Sequence, residues 1–134
     1  MKVQGSCLCQ GVRYELAAPP AQAGHCHCSM CRKWSGSALQ SYAGIAPAEF
    51  RWTRGEDLLA RFPSSAGFFR VFCGRCGSSL AVWPTDPAAA LTWIMLGTLD
   101  DDPGLAPAAH IFVGSKAPWF EIADDLPQHQ QFPK

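Results

Sequence analysis

Short apolar segments, rich in β-branched and aromatic residues, recur along the chain between glycines and prolines. Such segments are typical of β-strands, in which successive side chains point to opposite faces. Twelve glycines and eleven prolines supply the breaks between them. The pattern predicts strands at residues 12–16, 37–45, 50–53, 58–62, 68–72, 79–83, 91–99 and 110–113.

Helical periodicity is nearly absent from the chain. No stretch carries a long apolar stripe at helical spacing, and the one predicted helical turn covers residues 29–33. Residues 84–90 and 100–107 are predicted loops, and the polar, proline-containing tail at 124–134 is expected to lie on the surface or to fray. We therefore expect a single all-β domain over residues 1–134, with short helical turns.

The composition excludes some classes of partner. The chain has 134 residues, of which 48% are hydrophobic, enough for one domain with a buried core. Eleven basic and eleven acidic residues cancel, which argues against a nucleic-acid partner or an anionic membrane. The longest apolar stretch, 88–99, is interrupted by polar residues and is shorter than the ~20 residues that span a bilayer. We expect a soluble protein.

Seven cysteines carry the strongest chemical signal. They form two pairs and a triplet: Cys7 and Cys9, Cys73 and Cys76, and Cys26, Cys28 and Cys31. An odd count and a C-x-C spacing suit metal binding better than disulfides. A structural zinc takes four protein ligands, whereas a catalytic zinc takes three and keeps one position open. The pattern predicts two zinc ions per chain, one in a closed site with four protein ligands and one in an open site with three.

The cellular compartment that we expect for this protein also favours metal binding by the cysteines. The first residues do not resemble a signal peptide, so we expect the protein to be cytoplasmic. In that reducing environment, clustered cysteines bind metal more often than they form disulfides.

The two outer pairs are the candidates for the closed site. Residues 73–77, C-G-R-C-G, have the form of a zinc knuckle, in which glycines let the backbone turn and bring both sulfur atoms to one ion. Gly5 and Gly11 flank the first pair in a similar way. The alternative is a metal-free cluster of buried thiols.

The triplet is the candidate for chemistry. Its three potential thiolates are followed at once by Arg32 and Lys33, whose positive charges favour the thiolate form. A metal held by three thiolates has a fourth position for an external thiol, whose pKa it lowers. Two alternatives remain open: a second structural zinc completed by His25 or His27, and a redox C-x-x-C pair within the triplet.

Four motifs run in order along the chain. They are G-S-C-L-C-Q-G-V-R-Y at 5–14, C-H-C-S-M-C-R-K at 26–33, F-C-G-R-C-G-S at 72–78, and H-I-F-V at 110–113 with S-K and P-W shortly after. Together they resemble the glutathione-dependent formaldehyde-activating enzyme family. The resemblance implies a β-tent fold in which the outer pairs bind a structural zinc and the triplet binds a catalytic one.

The resemblance also implies an activity. It is the condensation of formaldehyde with glutathione to S-(hydroxymethyl)glutathione, formally a carbon–sulfur lyase reaction in reverse, with a small-molecule thiol and an aldehyde as partners. Arg32 and Lys33 are candidates to pair with substrate carboxylates, and Trp34 is a candidate pocket wall. Weaker candidates are Lys116 as a cation and Phe68, Phe69 and Trp119 as walls. We expect His110 to be structural.

Two hypotheses come from other classes of protein. A zinc-stabilised binding module would use both cysteine clusters only to hold the fold. A zinc carrier or thiol sensor would exchange metal at the triplet without turnover. An assembly of identical subunits is compatible with each hypothesis.

Overall fold

The computed structural model describes residues 2–133 and is mainly β-structure, as predicted. Its strands are β1 (Val3–Ser6), β2 (Arg13–Leu16), β3 (Gln22–Cys26), β4 (Gln40–Ile45), β5 (Phe50–Arg54), β6 (Leu59–Ser65), β7 (Phe68–Cys73), β8 (Ser79–Pro84), β9 (Thr92–Met95) and β10 (His110–Ile111). The α-helix is α1 (Ser29–Ser35), and short 3₁₀ turns occupy Pro47–Glu49, Glu56–Leu58, Leu96–Thr98 and Val113–Ser115.

The strands form two sheets. The smaller sheet has the order β1-β2-β5, and the larger has the order β10-β3-β4-β9-β8-β7-β6. All strand pairs are antiparallel except β10 with β3, which is parallel and places Ile111 opposite Cys26. The last strand therefore lies beside the strand that carries the first cysteine of the triplet.

The main core joins the two sheets. In β2, Tyr14 and Leu16 are buried while the residues between and before them are partly exposed, as the two-residue period of a strand requires. These side chains pack with Ala43 and Ile45 of β4 and with Ile94 of β9. Apolar burial of this kind supplies most of the driving force for folding.

The predicted elements agree with the structure except in their bounds. Each predicted strand overlaps an observed one, and the predicted turn at 29–33 lies inside α1. The strand predicted at 91–99 ends at Met95, where a 3₁₀ turn begins. The strand predicted at 110–113 ends at Ile111, because Phe112 has a φ of 56° in the left-handed region. The strand predicted at 37–45 begins only at Gln40.

Two strands were not predicted. β1 has the sequence V-Q-G-S and β3 has the sequence Q-A-G-H-C, both poor in β-branched and aromatic residues. Their extended conformation comes from pairing with β2 and with β4, contacts that lie outside the local pattern.

The C-terminal tail lies on the surface, as predicted, but it is anchored. The amide of His110 donates to the carbonyl of Pro127 at 2.9 Å, and the amide of His129 donates to the carbonyl of His110 at 2.9 Å. Lys134, at the end of the predicted tail, and Met1 lie outside the described residues. Within residues 2–133, no helix has the length and apolar character needed to cross a membrane.

Candidate metal centres and the adjoining pocket

The four-cysteine cluster joins the loop after β1 to the turn between β7 and β8. The Sγ atoms of Cys7, Cys9, Cys73 and Cys76 all lie within 4.8 Å of one another. Cys7 and Cys9 have sulfur atoms 3.5 Å apart, and Cys9 and Cys73 have sulfur atoms 3.9 Å apart. Four sulfur atoms on a tetrahedral zinc are ~3.8 Å apart, whereas a disulfide needs ~2.05 Å. The cluster fits zinc.

Hydrogen bonds favour the thiolate form of Cys9 and Cys76 in this cluster, whereas burial raises the pKa of Cys7 to about 11. The Cys76 amide donates to Cys73 Sγ at 3.4 Å, and Arg75 Nε donates to Cys9 Sγ at 3.3 Å. A backbone amide, followed by Arg75, lowers the pKa of Cys9. The hydroxyl of Ser78, 3.2 Å from Cys76 Sγ, leads the interactions that lower the pKa of Cys76 to about 5. Donors that favour the thiolate also favour metal binding.

The turn that carries the second pair depends on glycine. Gly77 has a φ of 81°, and its amide donates to the carbonyl of Cys73 at 2.8 Å. A residue with a Cβ atom would be strained in this conformation. Cys7 and Cys73 are fully buried, with 1% and 0% exposure, so this cluster is closed on the side of the core.

The three-cysteine cluster is built where β3 leads into α1. Cys26 ends β3, Cys28 caps the N-terminus of α1, and Cys31 lies in its first turn. The amide of Cys31 donates to Cys28 Sγ at 3.3 Å, because the first helical turn brings this free amide back to the cap residue. The three Sγ atoms lie within 4.8 Å of one another, close enough to bind one ion.

Without a metal ion, only one of the three thiols ionises readily. Hydrogen bonds with Cys26 and then Cys31 lower the pKa of Cys28, while hydrogen bonds with Cys28 and then Cys31 raise the pKa of Cys26. One sulfur therefore ionises at the expense of its neighbours. A divalent cation would allow all three to ionise, so this donor set fits a metal ion.

Arg70 is a buried cation at this cluster and was not among the residues predicted for the site. It is only 6% exposed, and its Nη1 and Nη2 atoms each lie 3.7 Å from Cys31 Sγ. The guanidinium also stacks over the ring of Trp34 at 4.9 Å. The sequence could have indicated Arg70, because it is the one charged residue in the otherwise apolar strand F-F-R-V-F-C.

The histidines lie apart from the three sulfur atoms. His27 Nε2 is 2.8 Å from His110 Nδ1, and His110 Nε2 is 2.9 Å from a carboxylate oxygen of Asp124. His25 Nδ1 is 2.9 Å from the hydroxyl of Ser41. Burial lowers the pKa of His27 to about 4, so its ring is neutral. Within residues 2–133, the metal-binding group at the triplet contains the three cysteines alone.

A pocket of about 320 Å³ opens onto the triplet, and all three of its cysteines line it. Tyr42 and Arg70 contribute polar groups to the wall. Burial, followed by the nearby cysteines, raises the pKa of Tyr42 to about 12, so its phenol keeps its proton. The three-cysteine cluster is thus accessible to a small molecule.

The predicted substrate contacts lie around the cluster and outside the described pocket lining. Lys33 is exposed, Arg32 is partly buried, and Trp34 lies beneath Arg70. The ammonium of Lys116 donates to the carbonyls of two nearby residues, Ala117 and Phe120. Among the weaker wall candidates, Phe68 lines the pocket, whereas Phe69 does not and Trp119 is 72% exposed.

The motifs and the two clusters agree with a sequence comparison. The profile of the glutathione-dependent formaldehyde-activating enzyme family matches residues 2–115. The chain belongs to this family. All seven cysteines of this family member lie within the matched segment, whereas residues 116–134 lie beyond it.

Individual relatives support the same assignment. The chain is 28% identical over 130 residues to a Halomonas elongata protein that carries the provisional name of glutathione-dependent formaldehyde-activating enzyme, covering 91% of this chain and 82% of that protein. It is 25% identical over 77 residues to an uncharacterised lyase of Schizosaccharomyces pombe, covering 58% of this chain and 54% of that protein. A crystal structure of a Rhodobacter sphaeroides protein shares the fold, with a TM-score of 0.62 and 22% identity over 74% of this chain and 89% of that one.

Proposed function

We propose that the protein is a zinc-dependent enzyme of the carbon–sulfur lyase type, acting on a thiol–aldehyde adduct such as S-(hydroxymethyl)glutathione. Cys7, Cys9, Cys73 and Cys76 would hold a structural zinc. Cys26, Cys28 and Cys31 would hold the zinc of the active site.

The observation that carries this proposal is the contrast between the clusters. One offers four sulfur donors, which complete a tetrahedral shell. The other offers three donors and opens into a pocket large enough for a small molecule. Neither His25 nor His27 belongs to the second group, and this supports an open fourth position.

A zinc ion held by Cys26, Cys28 and Cys31 would supply a Lewis acid that lowers the pKa of an incoming thiol and so favours its thiolate form. In the condensation, the thiolate sulfur attacks the aldehyde carbon and a C–S bond forms. The C=O π electrons move to oxygen, which takes up the proton that the thiol released and so gives the hydroxymethyl group. Cleavage runs the same steps in reverse.

The surrounding side chains have two roles in this proposal. The guanidinium of Arg70, 3.7 Å from Cys31 Sγ, offsets the negative charge of three thiolates in a buried site. The protonated phenol of Tyr42 offers a hydrogen bond inside the pocket. Holding thiol and aldehyde side by side converts a bimolecular step into a positioned one.

The test is the rate at which free aldehyde and adduct exchange. Carbon-13 exchange NMR on labelled formaldehyde with glutathione should show acceleration by the zinc-loaded protein. Cys31→Ser should reduce this acceleration at least about tenfold. Even mutation of residues that only hydrogen-bond to metal ligands reduces metal affinity or activity about 10–100-fold. Ser29→Ala is the matched control, because Ser29 is exposed on the same segment and does not line the pocket.

The outcome also separates the competing functions. Equal exchange rates with and without the protein would reject catalysis and favour a binding module. Loss of zinc from the triplet on addition of thiol, without acceleration, would favour a metal carrier or thiol sensor.

A further inference from the structure

The pocket beside the triplet carries little charge. Among the described residues that line it, Arg70 is the only one with a formally charged side chain besides the cysteines themselves. The other polar members are neutral, namely Gln22, Gln40, Tyr42, Ser64 and Ser65. A ligand with several charges would find few partners in this lining.

The two terminal nitrogen atoms of Arg70 are already engaged, whereas its buried Nε has no hydrogen-bond partner among the described residues. Both terminal nitrogen atoms of its guanidinium face Cys31 Sγ, and one face of the group covers Trp34. If a substrate carboxylate took these donors, the buried sulfur would lose its neighbouring positive charge, which is costly away from water. Lys116 is not a substitute, because its ammonium donates to two carbonyl oxygens and does not line the pocket.

The rest of the lining is apolar. It includes Phe68, Val82, Trp93, Met95, Ile111 and Phe112, drawn from β7, β8, β9 and the end of β10. Tyr42 and Trp93 form an edge-to-face pair with ring centroids 5.3 Å apart. Such walls favour an aromatic or branched aliphatic group, because burying apolar surface is favourable and aromatic rings pack edge to face.

The tail completes this wall. Phe132 and Pro133 line the pocket, and the ring of Phe132 packs edge-on against Phe112 with centroids 4.8 Å apart. Both tail residues lie outside the segment that the family profile matches, 2–115. This part of the lining therefore lies beyond the segment that carries the shared motifs.

Glutathione is a poor match for such a pocket, since it carries two carboxylates and one ammonium group. We propose that the thiol used by this protein has an uncharged, apolar body, aromatic or branched aliphatic, and that its aldehyde adduct is preferred over the glutathione adduct. The inference rests on the proposed function of the triplet and specifies its substrate class.

The experiment compares thiols on the metal-loaded protein. Isothermal titration calorimetry would measure the Kd of the zinc protein for 2-phenylethanethiol and for glutathione, at equal thiolate concentration. The cobalt-loaded protein would report entry of a sulfur ligand by a shift of its absorption bands. We expect 2-phenylethanethiol to bind about tenfold or more tightly than glutathione, from burial of its ring.

A pair of variants tests the role of charge. Phe68→Lys places a cation in the lining and should raise glutathione affinity about two- to fivefold while lowering that for 2-phenylethanethiol. Trp119→Lys is the matched control, because Trp119 is also aromatic, is 72% exposed, and does not line the pocket. It should change neither affinity.

The outcomes distinguish this inference from the proposed function. Glutathione binding as tightly as 2-phenylethanethiol, with a cobalt shift, would overturn the apolar preference and leave the open metal site intact. An unchanged glutathione affinity in Phe68→Lys would likewise reject charge as the discriminating feature. Cobalt bands that respond to neither thiol would overturn the proposed function and this inference with it.

Discussion

Replacing one cysteine in each cluster should have very different effects on stability. Cys73→Ser removes a fully buried sulfur that accepts the amide of Cys76 and belongs to the four-cysteine group. We expect this variant to be unfolded or insoluble. Cys31→Ser, in the three-cysteine group, should remain folded and lose metal at that site alone.

The magnitude follows from what each cluster joins. Structural zinc contributes about 10–16 kcal/mol of apparent binding free energy, against a total stability of about 5–15 kcal/mol for an ordinary domain. Cys9 and Cys73 lie 64 positions apart, whereas Cys28 and Cys31 lie 3 apart. On chain entropy alone, closing the longer loop constrains the unfolded chain by about 2–3 kcal/mol more.

The assay is urea unfolding followed by circular dichroism, with the zinc content measured by mass spectrometry. Leu8→Ser is the control for the first loop, because Leu8 is 82% exposed between two ligand positions and should change stability by less than about 0.5 kcal/mol. Equal loss of stability in Cys73→Ser and Cys31→Ser would refute the division into a structural and an open site.

Three further predictions concern the metal centres. Native mass spectrometry of protein purified without chelator should find two zinc ions per chain, and one zinc with three titratable thiols would contradict the assignment of both clusters. Gly77→Ala should cost about 1 kcal/mol in thermal or urea unfolding, because its φ is 81°, whereas Gly97→Ala, with open space around it, should be nearly neutral; equal effects would exclude backbone strain as the cause. Arg70→Met should weaken zinc binding at the triplet about tenfold in competition with a chromophoric chelator, and Arg70→Lys should weaken it less; unchanged affinity would mean that Arg70 only packs on Trp34.

The cysteine clusters could be predicted from the sequence because their ligands are close neighbours along the chain. Cys7 and Cys9, and the triplet at 26–31, each bring sulfur atoms together through a loop or a single helical turn. The first loop could be paired with the knuckle at Cys73 because seven cysteines divide into four ligands for a structural zinc and three for an open one. Local spacing and ligand number were sufficient.

The environment of the triplet could not be predicted in the same way. Arg70 reaches Cys31 across 39 positions, and His110 reaches His27 across 83. Both contacts depend on the register of the larger sheet, which in turn depends on pairings invisible in a local pattern. The cations adjacent in sequence, Arg32 and Lys33, were visible but do not line the pocket.

The position of the tail has a consequence for how such a protein can diversify. Its last described residues, Phe132 and Pro133, line the pocket and are not members of the four-cysteine group, and they follow the segment that the family profile matches. Substitutions there can reshape ligand preference while the sulfur geometry stays constant. Exchanging this terminal segment between relatives, in evolution or in engineering, would therefore change ligand selectivity without altering the cysteines of either cluster.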